Sequence, residues 1–172
     1  MREAIELYFA GEKGGALLAF LVGAASLCAA TVLVQSRYEL RSFAIALGVL
    51  GLVEVAIGGG LWLRTGPQVQ ALLSQLDSEQ ANTLTQEAVR MAKVQKNFAR
   101  LELLWVGVLC ASAFVGLTQK SRPTLWGIAL ALLIHAAFFL AFDLVAERRG
   151  ASYLEALELA RGGSSRVHNE SE

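Results

Sequence analysis

The stretch that decides the fold is residues 14–36, GGALLAFLVGAASLCAATVLVQS, which contains no charged residue. Three further stretches are similarly apolar, and Glu54 is the single charge inside the first of them. A helix of about 20 residues crosses the hydrocarbon core of a bilayer. The sequence therefore predicts four membrane spans, at about residues 14–36, 42–63, 101–119 and 123–146.

Composition supports the same class of protein. The mean hydropathy is +0.48 and 55% of the residues are hydrophobic, more than a soluble domain of this size usually has. The net charge is zero, which gives no basis for binding nucleic acid. We expect an all-α, polytopic membrane four-helix bundle that forms one domain over residues 1–172.

The distribution of Lys and Arg predicts the orientation. Eleven of the 15 lie in the N-terminal segment, the loop between spans two and three, and the C-terminal segment, whereas the two short loops hold four. Positive residues are enriched on the cytoplasmic side of membrane proteins. Both termini are therefore predicted to lie in the cytoplasm.

The two halves of the chain share a pattern. Leu27-Cys28-Ala29-Ala30 is matched by Leu109-Cys110-Ala111-Ser112, and Ala44-Ile45-Ala46-Leu47 by Gly127-Ile128-Ala129-Leu130, at an offset near 83 residues. One interpretation is a parallel duplication of a single hairpin, with a pseudo-two-fold axis along the membrane normal. The other is the similarity that any two apolar helices share.

Residues 65–100, between spans two and three, are predicted to form a cytoplasmic helical hairpin. Gly66-Pro67 is expected to end the second span and to start the first arm, since proline suits the first turn of a helix. Polar residues 77–82 would form the bend, and Thr83-Leu84-Thr85-Gln86 would cap the second arm. Beyond the fourth span we expect an amphipathic tail helix at 147–161 and disorder at 162–172.

An apolar stripe follows the second arm of this hairpin into the third span. Its members recur at helical spacing: Leu84, Met91, Val94, Phe98 and Leu101. Because they are apolar, we expect another helix to cover them. The first arm and the tail helix are one possible cover. A second copy of the chain or a partner membrane protein is another.

Two ionisable residues lie inside the spans. Glu54 and His135 are each the thirteenth residue of their span counted from the same side, so they are expected at matching depth. Ionisable groups at such depth are costly unless they are paired, which makes the pair a functional candidate. It would form either a structural hydrogen bond between spans or a site that passes a proton. A face of small residues on the same helix predicts close helix packing there: Gly48, Gly51, Gly58 and Gly59.

Further charges gather at the inner membrane boundary, where we expect a salt network of Arg64, Arg100, Glu102 and Asp143. The sequence has no Ser-His-Asp order in an ordered region, no metal-ligand spacing and no phosphate loop. A metal site would require Glu54 and His135 to converge with Cys28 or Cys110. We therefore expect that the protein is not an enzyme and that it binds no metal and no cofactor.

The segment Arg90-Met91-Ala92-Lys93-Val94-Gln95-Lys96-Asn97-Phe98, followed by Glu102, resembles an R-M-x-x-V-x-x-N-F pattern of small bacterial four-span membrane proteins. The resemblance implies a hairpin between spans two and three and implies no activity. We expect a location in the bacterial inner membrane. We expect a non-enzymatic protein that self-associates or engages a partner through this hairpin. The alternative is a small channel, a pore-forming effector or a proton-linked carrier that uses Glu54 and His135.

Overall fold

A computed structural model describes residues 1–36 and 40–169, with side chains as far as residue 162 except that of Ser36. The described chain is all-helical. Its helices are α1 (Arg2–Ser36), α2 (Arg41–Ser78), α3 (Gln80–Thr118) and α4 (Pro123–Asn169). Each is long and apolar enough to cross a membrane, as the sequence predicts.

The helices are longer than a membrane requires. They contain 35 to 47 residues, whereas about 20 suffice for the hydrocarbon core. All four extend beyond their apolar segments at the end of the bundle that carries the termini and the α2–α3 turn. We call this end, formed by residues 1–12, 65–98 and 147–161, the terminal sub-bundle.

The packing groups the helices into two hairpins. α1 packs mainly against α2, α3 packs mainly against α4, and the hairpins meet chiefly through α2 and α4. At that contact Gly127 lies against Phe43, and His135 lies against Glu54, at separations of 84 and 81 residues along the chain. A parallel duplication with a two-fold axis between α2 and α4 would place such counterparts side by side, so the duplication stays an interpretation with which these two contacts agree.

The terminal sub-bundle has its own hydrophobic core. All four helices contribute buried side chains to it: Ile5, Phe9, Leu76, Leu84, Ala88, Met91, Tyr153 and Leu157. Tyr8 stacks on Tyr153 with ring centroids 4.5 Å apart, and Arg2 forms an ion pair with Asp77 beside this core. The N-terminal turns of α1 are therefore part of the core, which the sequence-based hairpin did not include.

A polar network crosses the same core. Arg90 donates two hydrogen bonds of 2.7 Å to the Glu87 carboxylate, and the Tyr153 hydroxyl donates to Glu87 Oε1 at 3.2 Å. Bidentate arginine–carboxylate pairs are among the stronger polar contacts in proteins. The network fixes the register of α3 against α4.

The predicted break at Gly66-Pro67 is wrong. α2 continues through Pro67 to Ser78, since the segments on both sides are held by packing: Gly58 lies against α1, and Leu76 lies in the sub-bundle core. These contacts offset the roughly 3 kcal/mol that an interior proline costs. The arms of the predicted hairpin are thus the continuations of α2 and α3.

The turn between the arms is shorter than predicted. Glu79 alone separates α2 from α3, and Thr83 lies inside α3 rather than at its start. The Thr83 hydroxyl donates to the Gln75 carbonyl at 3.1 Å, so it ties the two arms together instead of capping one.

The C-terminal segment also differs from the prediction. α4 is one helix from Pro123 to Asn169, so it includes the expected tail helix and continues where disorder was expected. Gly150 does not break it, because this glycine lets α4 approach Met91 and Gln95 of α3. Residues 170–172, the end of the expected disordered segment, lie outside the described residues.

Tyr153 gives the sub-bundle a testable dependence on pH. Burial raises the pKa of its hydroxyl above the ordinary value of 10.0. The contribution of Tyr153 to stability is therefore complete below about pH 10 and is lost as the pH rises through the raised pKa. We expect helicity by circular dichroism to fall above about pH 10. Tyr153→Phe should reduce this alkaline loss while costing about 1 kcal/mol at neutral pH. An unchanged alkaline transition in the variant would contradict this account.

Candidate functional site

Glu54 of α2 and His135 of α4 face each other where the two hairpins meet. Their side chains are 0% and 4% exposed, and His135 Nε2 lies 3.5 Å from Glu54 Oε2. This separation is longer than a well-formed hydrogen bond. Neither carboxyl oxygen of Glu54, nor Nε2 of His135, has a hydrogen-bond partner within the described residues.

The other ring nitrogen fixes the tautomer of a neutral His135. His135 Nδ1 lies 2.9 Å from the Ala131 carbonyl oxygen, which can only accept, so Nδ1 carries a hydrogen and donates it. A hydrogen bond between Nε2 and Glu54 would require either a protonated carboxyl that donates to Nε2 or an imidazolium that donates to a carboxylate. Both states hold one proton between the side chains and have zero net charge. A second proton, or the loss of the only one, would leave a net charge buried at the helix contact.

Glycines bring α1 and α2 together around Glu54. A Cβ added to Gly51 would lie 2.8 Å from the Gly23 carbonyl oxygen, and one added to Gly58 would lie 2.5 Å from the Phe20 backbone nitrogen. Gly48 lies against Ala30, and Gly59 lies near the Phe20 ring. The small-residue face is thus turned toward α1, whereas Glu54 reaches across to α4.

The cysteines lie apart from this pair. Cys28 and Cys110 are both exposed, whereas Glu54 and His135 are buried. Within the described residues no three His, Cys, Asp or Glu side chains form a group that could hold a metal ion. The convergence that a metal site would need therefore does not occur in this part of the chain.

The charges predicted to form one salt network do not pair with one another as acid and base, although Glu102 and Asp143 lie close enough to interact electrostatically. Arg64 is 3.8 Å from Glu12 of α1, and Asp143 accepts a hydrogen bond of 2.8 Å from the Trp105 indole. Arg100 forms no ion pair within the described residues, and Glu102 has a buried oxygen without a hydrogen-bond partner there. α2 and α3 contact each other less than any other two helices that touch. Arg64 of α2 therefore lies against Glu12 of α1 rather than against the charges of α3.

The stripe on α3 divides into two parts. Leu84 is 1% exposed and Met91 0% exposed, because both lie in the sub-bundle core. Val94 and Phe98 are half-buried, and Leu101 is 39% exposed. The part of the stripe nearest the turn is thus covered within the chain, whereas the part nearest the membrane is covered only in part.

Beside the partly covered part lies a cleft that the sequence analysis missed. It has a volume of about 360 Å³ and lies between the two hairpins, where α2 and α3 diverge. Its lining comes from all four helices and includes Glu12, Leu61, Arg64, Phe98, Phe142 and Arg149. We call it the interhairpin cleft. No local sequence pattern marks it, because each helix supplies only a few residues.

Comparison with protein-family models, with curated proteins and with solved structures gives no match. The fold and the buried pair define the class of protein: an all-helical bundle of four helices that are long and apolar enough to span a membrane.

Proposed function

We propose that this is a non-enzymatic integral membrane protein that self-associates or engages a partner membrane protein. The binding surface is α3, from the second arm of the α2–α3 hairpin into its apolar segment. In this proposal both termini lie in the cytoplasm of a bacterial cell, in keeping with the concentration of Lys and Arg in the segments at that end.

The observation that carries the proposal is how little of α3 the chain itself covers. Only 6% of the apolar window of α3 is buried, against 22% to 28% in the other three helices. Leu104, Phe114 and Leu117 are 53% to 71% exposed. The other three helices thus bury more of their apolar segments within the bundle, whereas much of the α3 segment stays exposed beside the residues that pack against α4.

Small residues on α3 support the same surface. Gly107 and Ala111 are exposed and four residues apart, the spacing at which two membrane helices pack closely. A Cβ added to Gly107 would meet nothing within 4 Å, in contrast to Gly51 and Gly58. The glycines of α2 are therefore used within the chain, whereas Gly107 is available to another helix.

The test exploits this difference between glycines. Gly107→Leu should leave the monomer intact and weaken association at least tenfold, because the added side chain holds a second helix away. Phe98→Glu should act similarly, since it places a charge on the partly covered part of the stripe. Gly60→Leu is the matched control, because a Cβ on Gly60 also meets nothing within 4 Å. The measurement is the mass of the detergent-solubilised protein and its recovery with a differently tagged copy or partner. Unchanged mass and recovery in both α3 variants would refute the proposal.

A second candidate function rests on the shared proton of Glu54 and His135. A pair that holds one proton between an acid and an imidazole has the chemistry of a relay, and this pair joins the two hairpins. A proton-linked carrier or small channel would use motion between the hairpins to expose the pair. Glu54→Gln tests this directly, because glutamine cannot release the proton. Proton flux into proteoliposomes should be lost in that variant, and flux that survives would exclude the pair as a relay.

A further inference from the structure

The interhairpin cleft runs from the apolar part of the bundle into the terminal sub-bundle. Along α3 its lining extends from Trp105 to Arg90, which is about 22 Å of helix. The Trp105 indole donates to Asp143 and stacks on Phe139 at 4.8 Å, and Trp62 on α2 lies under the Lys13 ammonium group at 4.9 Å. Tryptophan prefers the membrane–water interface, so the Trp105 end of the cleft lies near that level.

The two ends of the cleft differ in chemistry. At the membrane end the lining is mostly aliphatic and aromatic, including Ile57, Leu61 and Phe139, with Asp143 held by the Trp105 indole. At the sub-bundle end it includes Arg64, Arg90 and Arg149 around Glu12. Such a cleft has a largely apolar section at one end and an excess of cations at the other, which is the polarity of an amphiphile.

Two of these cations are available to a ligand. The Arg64 side chain is 62% exposed, and its one ion pair, with Glu12, is long at 3.8 Å. Arg149 donates to the Gly11 backbone carbonyl and forms no ion pair within the described residues. Burial raises the pKa of Glu12, and the neighbouring Arg64, Arg90 and Arg149 oppose that shift. Arg90, in contrast, is already satisfied by Glu87.

We infer that the interhairpin cleft binds a membrane lipid with an anionic phosphate headgroup, its phosphate at Arg64 and Arg149 and part of one acyl chain beside Phe98 and Phe142. Arginine recognises phosphate through charge-assisted, often paired hydrogen bonds, and a bilayer with anionic lipids supplies phosphate groups at headgroup depth. The volume of about 360 Å³ lies at the lower end of the range for small-molecule sites, which suits one chain rather than a whole lipid.

This inference rests on the proposed function in one respect, since both take the uncovered part of the α2–α3 hairpin as a binding surface.

The first experiment uses two neighbouring residues of α4. Ala146 lines the cleft, whereas Val145 is 57% exposed and lies outside its lining. In nanodiscs of mixed phosphatidylglycerol and phosphatidylcholine, native mass spectrometry should find phosphatidylglycerol retained by the natural protein. Ala146→Phe should reduce this retention at least fivefold, and Val145→Phe should leave it unchanged.

The second experiment tests the headgroup with two neighbouring arginines. Arg149→Gln should weaken retention of phosphatidylglycerol about tenfold, the effect of one lost charge-assisted hydrogen bond, and should remove the preference over phosphatidylcholine. Arg148→Gln is the control, since Arg148 is exposed and does not line the cleft. Equal retention of both lipids by the natural protein, or equal effects of the two arginine variants, would overturn the inference.

The two proposals fail in different ways. If Gly107→Leu abolishes association while Ala146→Phe leaves lipid retention unchanged, the lipid site is wrong and association along α3 stands. If lipid retention responds as described while association is insensitive to Gly107→Leu and Phe98→Glu, the reverse holds. A photoreactive group placed at Ala146 that labels a second copy rather than lipid would also overturn the lipid site.

Discussion

Gly58→Leu is expected to unfold the contact between α1 and α2. A Cβ at this position would lie 2.5 Å from the Phe20 backbone nitrogen and 2.6 Å from the Ala16 carbonyl oxygen. Backbone atoms cannot rotate away as a side chain can, so the helices must separate along several turns. Overpacking a close contact costs about 3 kcal/mol or more when the neighbours cannot move.

The chain offers a matched control two residues away. Gly60 belongs to the same run of three glycines, but a Cβ there meets nothing within 4 Å, so Gly60→Leu should be nearly neutral. Thermal unfolding in detergent, followed by size-exclusion chromatography, measures both variants. Equal melting temperatures for the two variants would contradict the α1–α2 packing described above.

His135→Leu is expected to have the other large effect. Removing the imidazole takes away the one ionisable side chain that faces the fully buried Glu54 carboxyl within the described residues. Stranding such a group costs on the order of 3 kcal/mol. Glu54→Gln should be much milder, within about 1 kcal/mol, because the amide can donate to His135 Nε2 as a protonated carboxyl does.

A double-mutant cycle separates the pair from simple packing. Glu54→Leu combined with His135→Leu replaces both polar groups by apolar ones, so it should be less destabilising than His135→Leu alone. Denaturant unfolding of the four proteins in the cycle gives the coupling energy. If the destabilisations of the two single variants simply add in the double variant, the two side chains do not interact. The pair would then not join the two hairpins.

Much of the membrane architecture could be predicted from the sequence. The apolar stretches predict four helices that could cross a membrane, because hydrocarbon imposes a length and excludes charge. The depth of Glu54 and His135 follows from counting residues along two parallel spans. The contact between them could not be predicted in this way, because two residues at the same depth can lie on helices that do not face each other.

The terminal sub-bundle shows where such reasoning stops. Pro67 and the polar residues near 77–82 are strong local signals for a helix break and a bend, yet α2 runs to Ser78 because tertiary packing offsets the local cost. Ile5 and Phe9 precede the first apolar stretch and are buried only because all four helices extend to the same side. The interhairpin cleft is a gap between elements, and a gap has no sequence signature.

The most direct test of association along α3 is site-specific photocrosslinking in intact membranes, with the photoreactive group at position 107 in one protein and at position 60 in another. Both glycines face open space in this chain, so neither replacement disturbs the monomer. The proposed function predicts a protein adduct from position 107, either a second copy or a partner, and none from position 60. The absence of a protein adduct at 107, or equal adducts at both positions, would contradict it.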